Sequence, residues 1–463
     1  MYDIAVMNGI VIDPKNRRLT AANVYCRDGK IAEISREIRE SAKVINAGGR
    51  YVSPGFIDIH AHIEGKKRCG ALLCQQGVTT AVNGNCGNGL DDYPGFFRAM
   101  DKSGFIINQV ELSGASTLRQ KAGQLDRYAP MTAAQIDIAN GLLQEELQAG
   151  TAGLSFGLEY MPGTDREELY TLSRTAARYG KPVTVHIRCD LSPGLDALVE
   201  VIELSRFTGA GVQVSHAAYQ FGFGMMRQAL DIIDNAVSEG LDVSCDSGMY
   251  TSFGTRIGSA VFDDGCLENW HCSYDAIVMP AGKYAGQRLD RESFEDLRKN
   301  FPHDTAIVLI GAPAEIPMAF ELPYMMVGSD AGGDASDTLG AVHPQDAATF
   351  PRFIRQMVVE QKKLTLIDAV SRMTILPAQR MGLSKKGCLS PGNDADITVF
   401  DLAAIRDNAV FPHQGRMDAL PDGICAVVVN GKAVIEDKRI INDTAGKICY
   451  SPNNTCYRSS SFL

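Results

Sequence analysis

Pro54-Gly55-Phe56-Ile57-Asp58-Ile59-His60-Ala61-His62 is the stretch on which the fold turns. An apolar run leads directly into two histidines spaced i and i+2. On a strand, residues two apart point to the same face. If the strand ends at the mouth of a barrel, both imidazoles face the end where barrel enzymes carry their chemistry. Two such nitrogens can share one metal ion. An H-x-H in a polar loop carries no such implication; here the apolar strand before it does.

Working outward, seven more short apolar runs follow: Val78–Val82, Ile106–Leu112, Ala152–Phe156, Val183–Val185, Val212–Val214, Leu241–Ser244 and Tyr324–Val327. Helical periodicity fills intervals between them, at Ala133–Ala149, Arg166–Tyr179, Gly194–Phe207 and Met225–Glu239. Eight strands alternating with helices predict a parallel β/α architecture, and eight is the number that closes a (β/α)8 TIM barrel. An open doubly wound sheet fits the same pattern. The long interval before the eighth run holds the only tryptophan, Trp270, and reads in part as an insertion over one end of the barrel. A helix is expected at about Leu366–Met381.

Both ends of the chain read differently. Ile4–Met7, Ile10–Ile12, Val24–Cys26 and Ile31–Ile34 are β-rich, with Asn8-Gly9 and Asp28-Gly29 as hairpin signals. Ile397–Phe400, Ala426–Val429 and Ala433–Ile435 repeat that pattern around Asn430-Gly431. The expected organisation is α/β: a barrel over residues 54–384, with residues 1–53 and 385–463 joining as one small β-sandwich. The last residues, from Ser451, read as a frayed polar tail.

Composition narrows the function. The 463 residues carry 45 Lys+Arg against 55 Asp+Glu, a formal net charge of −10, which argues against nucleic acid as a partner. Hydrophobic residues are 45% and charged residues 22%, an ordinary globular balance. Twelve cysteines in this length are too few for a disulfide-stapled scaffold. There is no basic and apolar leader at Met1-Tyr2-Asp3-Ile4, and no apolar run reaches the ~18–20 residues of a membrane span. A cytoplasmic protein with reduced thiols and no membrane partner is expected. Asn453-Asn454-Thr455 is then a chance match to a glycosylation signal.

Four of the eight histidines end predicted strands: His60, His62, His186 and His216. The last two lie one β/α unit apart, so consecutive parallel strands set them side by side. Cys86 follows the second strand in Asn83-Gly84-Asn85-Cys86-Gly87. A lone cytosolic cysteine is more often a small buried hydrophobe, but at the mouth its thiolate suits zinc. The glycines around it do not follow G-x-G-x-x-G and no Lys-Ser/Thr comes after, which excludes a phosphate loop. Asp330 ends the eighth run in Val327-Gly328-Ser329-Asp330. A carboxylate there can take the proton of a metal-activated water; Asp after Ser is also a common turn or cap residue. The six together describe a metal-dependent hydrolytic site.

Pro54–His62 resembles the first-strand motif of the amidohydrolase superfamily. Gly77-Val78-Thr79-Thr80 through Gly84-Asn85-Cys86-Gly87 is similar to the N-acyl-D-amino-acid deacylases (D-aminoacylases), as are Gly157-Leu158-Glu159-Tyr160-Met161-Pro162-Gly163 and Gly328-Ser329-Asp330. His343-Pro344, Thr349-Phe350-Pro351-Arg352, Met373-Thr374, Leu376-Pro377-Ala378, Leu389–Ile397 and Val429-Asn430-Gly431 continue the match in order. The resemblance implies a zinc held tightly by Cys86, His186 and His216. It implies a second, weaker metal position at His60 and His62, and Asp330 as general base and later acid. The implied reaction is hydrolysis of the amide in an N-acyl-D-amino acid, a small-molecule substrate.

Some positions depart from that family. The second residue after His216 is commonly Lys and is Ala218 here; a His usual on strand three is Ser113. The interval from His62 to Cys86 is short, and Ile63-Glu64 replaces an aromatic-Asp pair. Arg188 is the candidate to replace the missing cation, with Tyr160, Tyr250 and Arg256 as further substrate-binding candidates. Two other functions fit parts of the pattern. One is a cyclic-amide hydrolase of dihydroorotase or hydantoinase type, whose relatives use a carboxylated Lys on strand four, where Ala152–Gly163 has none. The other is a non-catalytic scaffold, which would have lost ligands that are all present here.

Overall fold

The computed structural model describes residues 1–190, 192–333 and 337–451. All eight expected strands form: β1 (Phe56–Asp58), β2 (Val78–Asn83), β3 (Asn108–Glu111, continued at Ser113–Gly114), β4 (Leu154–Gly157), β5 (Val183–His186), β6 (Val212–Val214), β7 (Val243–Ser247) and β8 (Met325–Val327). Neighbours pair in parallel from β1 to β3 and from Ser113–Gly114 through β4 to β8. The Ala152 amide donates to Glu111 O at 2.7 Å, carrying the ring from β3 to β4. Closure from β8 to β1 follows. Ser329 N donates to Asp58 Oδ1 at 2.9 Å, and Asp330 N to His60 O at 2.8 Å. His62 N then donates to Ala331 O at 2.7 Å. The sheet is a closed barrel. Every residue of β2, β4 and β5 is buried, as expected for parallel strands covered on both faces.

The covering helices begin and stop where local chemistry tells them to. Thr132 and Gln135 form a reciprocal capping box ahead of helix Ala133–Ala149, and Gly150 ends it in the left-handed region at φ 115°. Asp165 caps Arg166–Arg178 by accepting from Glu168 N. The expected helix at Leu366–Met381 is two helices, Leu366–Met373 and Ile375–Arg380, broken at Thr374.

Strands from both ends of the chain make one nine-stranded sheet, in which Tyr51–Pro54 pairs antiparallel with Ile397–Phe400. The sheet coils until Ile31 N reaches Asn393 O at 2.9 Å and Ala395 N reaches Gly29 O at 3.0 Å. Val6, Val24, Val52, Val399 and Val428 fill its own core, while Val427 and Val429 turn the opposite way, into the barrel's cluster. Alternation on one strand thus serves two cores. Asn8-Gly9 is not a hairpin turn. Tyr2–Asp13 is one strand that runs through it, and the register with Arg18–Arg27 shifts between Val6 and Gly9. Asp28-Gly29 and Asn430-Gly431 do turn, with φ of 51° and 74°, and 47° and 75°. Lys386, buried between Asp396 at 2.6 Å and Asp394 at 3.0 Å, fixes the junction; Asp396 also accepts from Asn108 of β3 at 3.1 Å.

Between β7 and β8 the chain builds a small antiparallel sheet of Phe253–Arg256, Ile277–Val278 and Thr305–Val308. Trp270 packs edge-on to Phe253 and Phe262 at 5.5 and 5.7 Å. This insertion lies over the barrel mouth, where Phe253, Arg256 and Thr305 line a cavity. The tail expected beyond Ser451, with Asn453–Thr455, falls outside the described residues. Among the described residues no helix is long and apolar enough to cross a membrane, and the described cysteines are free thiols.

Candidate metal centre

His60 and His62 follow β1 and face the mouth together, 5.4 Å apart between ring centroids. Cys86 sits in a turn after β2 that only small residues allow. A Cβ on Gly84 would stand 2.4 Å from Leu112 O, and one on Gly87 2.8 Å from Gly157 N. Both glycines have φ of 78°. Close backbone approach, rather than a phosphate, explains them. His186 is the last residue of β5, and His216 and Asp330 stand just past β6 and β8. Cys86, His216 and Asp330 have φ of 53°, 35° and 56°. Left-handed backbone costs a non-glycine residue about 1–2 kcal/mol, so three instances in one cluster mark a site held by its surroundings.

Two sets of donors converge. His60, His62 and Cys86 form one, and Cys86, His186 and His216 the other, each with its ligand atoms within 4.8 Å of one another. Cys86 Sγ is shared, 3.3 Å from His60 Nε2 and 3.5 Å from His216 Nε2. Asp330 Oδ1 lies 3.2 Å from His62 Nε2 and 3.5 Å from His60 Nε2. All six residues singled out in the sequence meet here.

Charge is arranged around the thiol. Burial raises the Cys86 pKa, but His60 and His216, with hydrogen bonds from His186 and His216, pull it well below the ordinary thiol value. Burial works against protonated His186, yet hydrogen bonds to Cys86 and Glu159 raise it to about 10. His62, likewise opposed by burial, is raised to about 9 by Asp330 and Cys86. Burial also works against ionised Asp330, but the His62 hydrogen bond and the charges of His60, His62 and His216 hold it below the usual carboxylate range. Imidazolium protons balance buried anions here, a role that a bound dication takes over. The fit to a metal is further marked by His186, whose Nε2 is taken by Glu159 at 2.8 Å while its buried Nδ1 has no partner at hydrogen-bond geometry. A thiolate with imidazoles is a zinc-type donor set.

Two carboxylates behind the ligands complete the centre. Asp246, on β7, accepts from His216 N at 2.9 Å and from Gln213 Nε2 at 2.6 Å, and stands 3.3 Å from His60 Nδ1. It thus orients two of the candidate ligands from behind. Its place at the end of the seventh apolar run was a usable signal, the one applied to Asp330. Glu159 Oε2 lies 2.8 Å from His186 Nε2.

The substrate candidates divide. Tyr160 and Arg256 line a cavity of about 840 Å3 that opens over His62, Cys86, His186 and Asp330. The Tyr160 ring lies 4.8 Å from that of His186, and Arg256 is exposed. Arg188 is not brought to the cavity. It makes a two-point ion pair with Glu200, at 3.0 and 2.8 Å, and donates to Pro162 O and Thr164 O. Its proximity to His186 in sequence does not survive, because successive residues leave a strand end in different directions. Tyr250 is buried beside the cavity, under Arg352 at 4.4 Å and edge-on to His343 at 5.2 Å.

A closed barrel with an S/N donor cluster and an aspartate at the end of its eighth strand defines a class. The amidohydrolase family profiles match it, one over residues 43–233 and another over 319–434. The N-acyl-D-glutamate deacylase of Alcaligenes xylosoxydans xylosoxydans is 31% identical over 93% of this chain and 93% of its own. The chain belongs to the amidohydrolase superfamily, and within it to the N-acyl-D-amino-acid deacylase (D-aminoacylase) family. The crystal structure of the Bordetella bronchiseptica N-acyl-D-glutamate deacylase, complexed with zinc and a phosphonate mimic of the tetrahedral intermediate, superposes with a TM-score of 0.85. Identity there is 30%, over 96% of this chain and 99% of that one. A D-aminoacylase described as having a binuclear metal centre is 27% identical, with a TM-score of 0.84 over 97% and 99%. A dihydroorotase of Elusimicrobium minutum is more distant, 23% identical over 86% of this chain and 88% of its own.

Proposed function

We propose that the protein is a zinc-dependent deacylase that hydrolyses N-acyl-D-amino acids, or close N-acyl analogues, to a carboxylate and a free D-amino acid. The observation that carries this reading is the convergence of Cys86, His186 and His216 on one point, with Asp330 in contact with the His60–His62 pair. Cys86, His186 and His216 would hold one zinc tightly, and His60 and His62 a second position of lower affinity. Zinc bound there supplies the Lewis acidity that polarises an amide carbonyl.

The chain's own groups do the proton work. Asp330 lines the cavity and its Oδ1 is engaged by His62 and His60, so the proton is assigned to Oδ2. Held ionised, Asp330 accepts a proton from the attacking water at Oδ2 and then delivers it to the nitrogen of the breaking C–N bond. Tyr160 packs beside His186 and narrows the cavity there. Arg256, on the first strand of the inserted sheet, supplies the cation for the substrate carboxylate in the absence of a lysine at Ala218. We assign the catalytic unit to residues 54–384 and place the protein in the cytoplasm, consistent with the free thiols among the described residues. A cyclic-amide hydrolase is disfavoured because no lysine stands in Ala152–Gly163.

Two variants separate the roles. Asp330→Asn keeps zinc and loses turnover by about 100-fold or more. Cys86→Ala loses zinc itself. Zinc analysis and amine release on N-acetyl-D-amino acids read both, and an Asp330→Asn enzyme with full turnover removes Asp330 as the base.

A further inference from the structure

Gln345 opens the helix Gln345–Ile354 and is 2% exposed. Its amide is engaged at both ends. Nε2 donates to Asp330 O at 2.8 Å and lies 3.4 Å from Asp330 Oδ2. Oε1 accepts from Tyr219 Oη at 2.5 Å. Two acceptors on one side and a phenol on the other fix the orientation of the amide. Tyr219 is 3% exposed, in the short helix that follows His216, and its ring stacks on that of His216 at 5.3 Å and 30°. One line of contact therefore runs from the sixth-strand ligand to the eighth-strand carboxylate.

Asp330 needs such a support. Its backbone is left-handed, and the hydrogen bond from Asp330 N to His60 O holds only one side of it. The other side is its carbonyl, which Gln345 grips. The next residue of the same helix tightens the loop again: Asp346 accepts from Gly332 N at 3.3 Å and from Val342 N and His343 N at 2.7 and 3.2 Å.

We propose that Tyr219 and Gln345 act as a two-residue positioning relay that fixes the backbone and carboxylate of Asp330 for its work as the base. The inference rests on the reading of Asp330 as the base. A general base misplaced by about 1 Å loses on the order of 100-fold in rate. Gln345→Leu, which removes both hydrogen bonds, is therefore expected to lower kcat about 10- to 100-fold. Substrate KM should stay within about twofold and zinc content at the wild-type level. Tyr219→Phe removes one oxygen and leaves the ring on His216, so it folds if the protein does; a loss of about 3- to 10-fold in kcat is expected. Because the two act through one amide, the double variant should be no slower than Gln345→Leu alone.

The test is a double-mutant cycle on the zinc-loaded enzyme, with kcat, KM and metal content measured for each variant and for Asp330→Asn. Losses in kcat that overlap, at constant KM and zinc, support the relay. Losses that multiply, a rise in KM alone, a fall in zinc, or unchanged kcat in Tyr219→Phe overturn it. An inactive Asp330→Asn beside a fully active Gln345→Leu defeats the relay only. A fully active Asp330→Asn defeats the base assignment beneath it.

Discussion

Histidine and cysteine could be read from the sequence because they are scarce, and position at a strand end gave them meaning. Carboxylates are common, and a strand-end position singles one out, as it does Asp330, only weakly. Asp246 stands behind His60 and His216 but shares its local pattern with many structural aspartates. Asp246→Asn removes the charge facing His60 Nδ1 while leaving an oxygen for His216 N. It should weaken the His60–His62 metal position by about 10- to 100-fold, as loss of a carboxylate behind a ligating histidine does. Zinc titration by calorimetry checks this, and an unchanged second binding step contradicts it. Arg188 shows the opposite error. Its charge was legible, but its partner, Glu200, comes from the helix that returns over the strand, and only the fold brings the two together.

At the scale of elements, strand positions were legible because each is a short apolar run bounded by polar residues. Turn chemistry was less so. Asn8-Gly9 and Asn430-Gly431 are the same dipeptide, yet only the second is a hairpin. At the first, Asn8 N donates to the Asn23 side chain at 2.9 Å, and the strand pairs with Ser41–Asn46 before it and with Tyr51–Pro54 after it. Tertiary pairing overrode the local signal. The turn that presents Cys86 is sharper still. Gly84→Ala would place a methyl 2.4 Å from Leu112 O at a φ of 78°. It should cost more than about 1 kcal/mol of stability and also lower zinc content, because Cys86 is two residues on. Urea unfolding and metal analysis together check it; lost stability with full zinc occupancy would uncouple the turn from the site.

In the whole molecule, the barrel brings residues from positions 60 to 330 to one mouth, and the sheet built from both chain ends braces its other elements. The insertion between β7 and β8 supplies part of the cavity wall, including Arg256, and this the sequence showed only as an unusually long interval. The histidine and cysteine end of the cavity was therefore legible and the Arg256 end was not, since the latter is made of loops whose meeting depends on closure. Every role assigned to these residues depends on the reaction. Amine release by the zinc-loaded protein from a panel of N-acyl-D- and N-acyl-L-amino acids, with hydantoins alongside, tests it most directly. Hydrolysis of the D series, with the L series slower by at least about 100-fold, is the predicted result. No hydrolysis of any N-acyl-D-amino acid, or ring opening of hydantoins in its place, would exclude the deacylase activity.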